Sequence, residues 1–404
     1  MRRPIAMPVV LAYVAFVLVG VGAGIMGVLL VEQMRDYAVD RATIGITFFT
    51  GSAGFVLAGS SAGALIDRFG TRVALVIGGG AFVLAALYTA TRPSFLAFVI
   101  VQVVVGYATG LLESVLNAYL TTLPNATTLL NRLHAFFGVG ALLGPPLATW
   151  IVGVAAWPVV WLVLGLAYVP VVAGFLIYYP RPRPDISAAA AQAAAVPARG
   201  GLLRTALRHP GVLFGAALLA VYVGLEIGVG NWGFSYLIQE RGQGEVLAGY
   251  SVSGYWLGLT LGRFLISPVA ARMGATAVGL MYACLAGVTA AAVLIWFVPA
   301  SGAAGAGFVL LGFFLGPIFP TTMAVVPRLT EARLVPTAIG VMNAGSVVGG
   351  SALPWLAGAI AQGTGIWTLM PFAVTLALVQ VALWRPMAQR IRTHHPAAPA
   401  TEMR

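Results

Sequence analysis

Glu113 and Glu226 lie inside long apolar stretches of a chain that carries little other charge at such depth. A carboxylate held at the middle of a bilayer costs roughly 2.5–3.5 kcal/mol on insertion scales, so it pairs, lines a watery path or carries a proton. A protonated carboxyl donates a hydrogen bond to a hydroxyl, whereas an ionised one only accepts. Thr109, Glu113 and Asn117 are spaced i, i+4, i+8 and share one helix face, so an amide stands beside the acid. Asn131 and His134 open the next segment. His134 reads as a proton relay or as a satisfied histidine. Asn231 and Asn343 offer further amides. Trp232, Tyr236, Tyr107 and Trp256 could stack on the flat face of a sugar ring or simply pack. The plain alternative for either acid is a bundle-stabilising role, bonded to Asn131 or His134.

The segments that must position these groups are unmistakable in outline. Of 404 residues, 60% are hydrophobic and 8% charged, which leaves too little polar surface for a soluble domain. About twelve stretches reach the roughly 20 residues a helix needs to span the hydrocarbon core. They run approximately over 8–32, 43–65, 73–91, 95–120, 133–155, 158–179, 211–238, 247–270, 274–298, 303–325, 335–361 and 365–384. The continuous runs lack the alternation of a membrane barrel. The first has no small-residue cleavage site and reads as a retained helix. The expected fold class is therefore an all-α membrane protein.

Every one of the 22 basic residues is arginine. With the N-terminus placed in the cytoplasm, Arg35, Arg41, Arg92 and Arg241 fall on outside loops, Arg263 falls inside a span, and the other seventeen fall inside. This bias puts both termini in the cytoplasm and makes the +11 charge topological, so nucleic acid is not an expected partner. The arginine-only, Ala-, Gly- and Val-rich composition suggests a bacterial inner membrane. With no lysine there is no phosphate-binding loop for a nucleotide. One cysteine, Cys284, and four histidines offer no metal-ligand spacing, so neither cofactor nor metal is expected, nor an enzyme.

The chain divides into a six-span half (1–179), a Pro- and Ala-rich cytoplasmic linker (180–210), a second six-span half (211–385) and a cytoplasmic tail (386–404). The halves read as repeats. Gly140-Ala141-Leu142-Leu143-Gly144 matches Gly345-Ser346-Val347-Val348-Gly349, Arg68-Phe69-Gly70 matches Arg272-Met273-Gly274, and Glu32 matches Glu240, in order and at nearly one offset. Two parallel six-helix halves around a midplane site describe a secondary transporter, with the first, fourth, seventh and tenth helices expected to line the cavity.

Between the second and third spans the chain reads Gly63-Ala64-Leu65-Ile66-Asp67-Arg68-Phe69-Gly70-Thr71-Arg72. This resembles the loop signature of the major facilitator superfamily, with Thr71 in place of the usual arginine. Gly63 permits close helix contact, Gly70 a tight turn, and Asp67 a pairing that would latch the cytoplasmic gate, together with Arg68 and Arg72. The second half keeps only Gly262-Arg263 and Arg272-Met273-Gly274. Gly110-Leu111-Leu112-Glu113, then Asn117, then Asn131, His134, Phe137, Gly140 and Gly144-Pro145, then Tyr222 through Glu226, Asn231-Trp232 and Tyr236 resemble the fucose-permease-like sugar porters of that superfamily. The resemblance implies that Glu113 is a protonatable residue of a central cavity. Those porters also carry a first-helix aspartate when they couple to protons, and Gly24 through Leu30 hold no acid. Glu226 could take part of that role, or coupling is altered.

The expectation is a monomeric transporter of a small neutral, sugar-like solute, coupled to protons, working by alternating access. An exporter of amphipathic compounds is the alternative, with a cavity dominated by Phe313, Phe314, Phe319 and Trp232. Gly140-x-x-x-Gly144-Pro145 resembles part of the drug–proton antiporter signature, but Pro146, Leu147 and Ala148 follow where a glycine pair belongs. A non-transporting sugar sensor would need a folded domain that neither 180–210 nor 386–404 suggests.

Overall fold

Hydrocarbon offers no water to backbone N–H and C=O groups, so the apolar runs must satisfy them internally, and helices result. The computed structural model describes residues 7–180 and 200–394, and among them there is no strand. Helix α1 is Met7–Tyr37. A single long helix, Ile46–Ala90, then breaks its geometry at Gly70 (φ 79°, ψ 164°), which divides it into α2 (46–69) and α3 (71–90). There follow α4 Phe95–Thr121, α5 Ala126–Val154 and α6 Pro158–Tyr178. The second half comprises α7 Pro210–Gln239, α8 Glu245–Arg272, α9 Ala277–Phe297, α10 Ser301–Leu315, α11 Val335–Thr364 and α12 Leu369–His394.

Ten helices among the described residues are long and apolar enough to cross a membrane, with Arg41–Ala90 taken as one. Dividing that one at Gly70 and adding α8, whose interior carries Arg263 among glycines, serines and tyrosines, gives twelve. The expected tenth span, 303–325, is interrupted. Pro317 supplies no N–H and crowds the preceding turn, so α10 stops at Leu315 and resumes as a short helix, Ile318–Ala324. Most of the 180–210 linker (181–199) lies outside the described residues, and Gly200–Ala206 is helical. Where the tail was expected from 386, α12 continues to His394, and 395–404 lie outside the described residues.

The two halves repeat one packing scheme, and glycines show it. A Cβ on Gly140 of α5 would strike the carbonyl of Val17 on α1, and one on Gly349 of α11 would strike that of Ala220 on α7. Likewise Gly54 and Gly106 bring the backbones of α2 and α4 together, as Gly258 and Gly312 do for α8 and α10. In lipid such close approach replaces the hydrophobic drive as the source of helix association. The turns after α2 and α8 also correspond: Gly70 (φ 79°) and Gly274 (φ 69°) both adopt positive φ, which the missing Cβ makes inexpensive.

Large apolar side chains face outward, as a lipid-facing surface requires; Leu84 and Leu96 are each 70% exposed. The halves meet at the end remote from the termini. There the backbone N–H of Arg41 donates to Gln362 Oε1 (3.2 Å), Arg41 Nη2 to Gln239 Oε1 (2.6 Å), and Trp355 Nε1 to the Ala42 carbonyl (3.1 Å). Deeper in, Ser253 of α8 donates to the Leu142 carbonyl of α5 (2.6 Å).

Candidate functional site: a polar cavity between the halves

Between the halves lies a cavity of about 460 Å³. That volume falls in the roughly 300–1,000 Å³ range of small-molecule sites. Glu113, Asn131, His134, Glu226 and Arg263 supply its polar wall, and Phe16, Phe137, Phe264 and Phe319 much of the rest. Helices α1, α4, α7 and the second piece of the tenth span all contribute, as expected. So do α5 and α8, which carry Asn131, His134 and Arg263.

Glu113 is brought to the wall by α4, whose Gly106 and Gly110 lie against α2. Its carboxylate has no hydrogen-bond or ion partner among the described residues. Asn117 does not extend that face into the cavity; its Nδ2 donates back to the Glu113 carbonyl at 2.8 Å. A mid-helix asparagine can always satisfy itself this way, and here it does. Asn131 and His134 line the cavity, with the His134 ring edge-on to Phe16 at 5.7 Å.

Glu226 is not a second free acid. Its Oε1 accepts from Arg263 Nη2 at 3.0 Å, and the same Nη2 lies 3.4 Å from the Tyr222 hydroxyl. Tyr255 donates to the Glu226 carbonyl at 2.9 Å and braces α7 against α8. Arg263 was legible as a charge inside a span, and such a charge must find a partner. That rule demands an acid but does not choose between Glu113 and Glu226; the packing of α7 against α8 chooses Glu226.

The remaining candidates sit elsewhere. Trp232 is fully buried; its Nε1 donates to the Pro354 carbonyl at 2.8 Å and its ring meets Phe48 edge-on. Tyr236 accepts from Arg241 Nε (2.9 Å) and donates to the Ile295 carbonyl (3.4 Å), near the remote end of α7. Asn231 is buried where α7 meets Gly27 of α1. Asn343 is exposed on α11, and its carbonyl accepts from Ser346 (2.7 Å). Tyr107 shares a hydrogen bond with Ser61 (3.1 Å), and Trp256 packs against Tyr255.

In the loop motif, Gly70 makes the turn and Arg72 donates through Nε (2.6 Å) and Nη2 to the Tyr179 carbonyl, which ties α3 to the end of α6. Arg68 lies over the Phe69 ring at 5.2 Å. Gly63 is partly buried on α2. Asp67 is exposed and has no ion partner among the described residues. A latch at this end would need Asp67 engaged, and here the halves join at the other end.

Two pseudo-repeated six-helix halves, joined at one end around a polar cavity, define a membrane transporter that exposes one site alternately. The chain belongs to the Major Facilitator Superfamily, whose family model matches residues 12–305. This is a transporter family, not an enzyme family. The chain is 26% identical to Bypass of stop codon protein 6 of Saccharomyces cerevisiae, over 94% of this chain and 81% of that protein. It is 27% identical to a gallate transporter of Pseudomonas putida, over 41% of this chain and 38% of that one. It is 32% identical to a multidrug resistance protein B homolog of Mycobacterium tuberculosis, over 38% and 29%. Among solved structures, a bacterial homolog of the human lysosomal transporter Spinster, in an inward-facing and occupied conformation, superposes with TM-score 0.76 at 13% identity, covering 97% and 98% of the chains. A variant of the nucleoside transporter NupG gives TM-score 0.76 at 12% identity, covering 95% and 99%.

Proposed function

We propose that this transporter carries a small neutral sugar or polyol across a bacterial inner membrane by proton symport, as a monomer related to the fucose-permease-like porters. Glu113 is the proton carrier. One observation carries the reading: an unpaired carboxylate shares a cavity wall with an amide, an imidazole and an ion pair of zero net charge. A neutral, hydroxyl-rich solute suits such a wall, because each polar group there can donate to or accept from a hydroxyl. With both termini in the cytoplasm, as the arginine bias supports, the closed end faces outward and the site is inward-open. Asp67 would then engage in the opposite state.

Export of amphipathic compounds is the second reading. Four phenylalanines in the cavity and the likeness to a multidrug resistance protein favour it. The cavity's acid, amide, imidazole and arginine, and the burial of Trp232 outside it, favour the first. Uptake into proteoliposomes under an inward proton gradient, with a panel of labelled hexoses, pentoses and polyols, separates them. Gradient-dependent accumulation of one sugar is the expected result. Equilibration without accumulation means a facilitator, and no uptake of any of them moves the reading to the exporter.

A further inference from the structure

We infer that the Glu226–Arg263 pair is a recognition element for two neighbouring hydroxyls, a vicinal diol, and that Arg263 is the specificity-determining residue of the site. The inference rests on the sugar reading above and names the feature of the solute that is read. It begins with the arginine's donors. A guanidinium presents five N–H groups in a rigid planar fork. Here Nη2 serves both Glu226 and Tyr222, while Nε is enclosed without a partner. Nη1 makes no hydrogen bond among the described residues, and the side chain is 31% exposed where it lines the cavity. The arginine is thus held in place through Nη2, and Nη1 remains its unused donor where the side chain lines the cavity.

The partner acid decides which oxygen pair fits. A carboxylate would match the fork geometrically, but it would arrive beside Glu226, and like charges at such range repel. A vicinal diol meets no such charge. One hydroxyl accepts from Arg263 while its neighbour donates to Glu226, so the ion pair satisfies both polarities of a neutral ligand. An isolated acid or an isolated base could satisfy only one. The pair also leaves Glu113 as the unpaired acid of the site, so recognition and proton carriage fall on opposite halves of the molecule, α7–α8 and α4.

The test is equilibrium binding and counterflow of the purified full-length protein with whichever labelled sugar or polyol of the uptake panel it accepts, its two mono-deoxy analogues at a vicinal pair, and the corresponding uronate. Removal of either hydroxyl is expected to weaken binding about 10–100-fold, the equivalent of one hydrogen bond to a charged group. Arg263→Lys keeps the charge opposite Glu226 but loses the fork, and is expected to raise the dissociation constant while erasing the difference between parent and deoxy analogues. Glu226→Gln serves as the second variant should the lysine variant fold poorly, with the same expected loss of discrimination. Retained discrimination in a folded variant, or tighter binding of the uronate than of the parent, overturns the inference while leaving sugar transport intact. Binding of no member of the panel by the wild type removes the sugar reading itself, and the inference with it.

Discussion

Arg41, at the start of the short helix Arg41–Ile44, reaches across to the other half of the molecule and donates to Gln239 Oε1 at the end of α7, at 2.6 Å. Its own N–H meets Gln362 of α11, and the Trp355 indole caps the Ala42 carbonyl beside it. One turn of helix after α1 is therefore clamped between α7 and α11, at the end where the halves close. For the halves to part there, these bonds must break.

Replacing Arg41 with alanine should accordingly favour the state open at the end remote from the termini. Loss of one charge-assisted hydrogen bond is worth about 1.5 kcal/mol, or roughly tenfold in the equilibrium. Double electron–electron resonance between spin labels on the 41–44 helix and the end of α11 would report the shift. An unchanged distance distribution in Arg41→Ala would show that the clamp does not hold the closed end.

The same short helix carries a pH dependence. The hydrogen bond from Thr43 holds the exposed Asp40 carboxyl below its usual value near 3.8. A lowered folded-state value means that the capping contribution is present above the ordinary pKa and is lost as pH falls through the lowered one. Loosening of the clamp by acid should thus begin only below about pH 4, near the ordinary value for an aspartate. That acid-dependent component should vanish in Asp40→Asn, measured by the same spin-label distances across pH.

Glu113→Gln keeps the shape of the cavity wall but cannot carry a proton. Proton-driven accumulation should fall to simple equilibration, whereas exchange of labelled for unlabelled solute across the membrane persists. Full accumulation in this variant would refute the assignment of Glu113 as the carrier.

Close glycine contacts in the second half should be as sensitive as those in the first. Gly349→Ala drives a methyl into the Ala220 backbone of α7, and overpacking of this kind costs about 1–3 kcal/mol. Gly140→Ala should do the same between α5 and α1. Gly363→Ala, where a Cβ would meet nothing within 4 Å, is the control and should leave thermal stability in detergent unchanged.

Trp232→Phe distinguishes a packing role from a binding one. The variant loses the hydrogen bond to Pro354, at a cost of about 1 kcal/mol in stability. Substrate KM should stay within about twofold of wild type, because no uniform binding interaction is removed. A large rise in KM at unchanged stability would return Trp232 to the binding site.

The spans, the two-half arrangement and the placement of Glu113, Glu226 and Arg263 inside long helices were all readable in the chain. Each follows from local quantities: hydropathy over one helix length, the repeat offset, and the cost of charge in hydrocarbon. The same locality explains why Ile46–Ala90 was read as two spans with Gly70 as the turn between them, whereas the tenth span was read as continuous and its break at Pro317 was missed. Partnership is not a local quantity. That Arg263 meets Glu226 depends on how far α7 and α8 are rotated about their axes and how closely Tyr255 and the glycines let them approach. The same dependence turned Trp232 toward Pro354, Tyr236 toward Arg241 and Asn117 back onto its own helix, while His134 and Asn131 came round to the cavity. A helix face can be drawn from spacing alone; which neighbour that face meets is decided only when twelve helices pack, because small backbone contacts far from the site set their rotation and register.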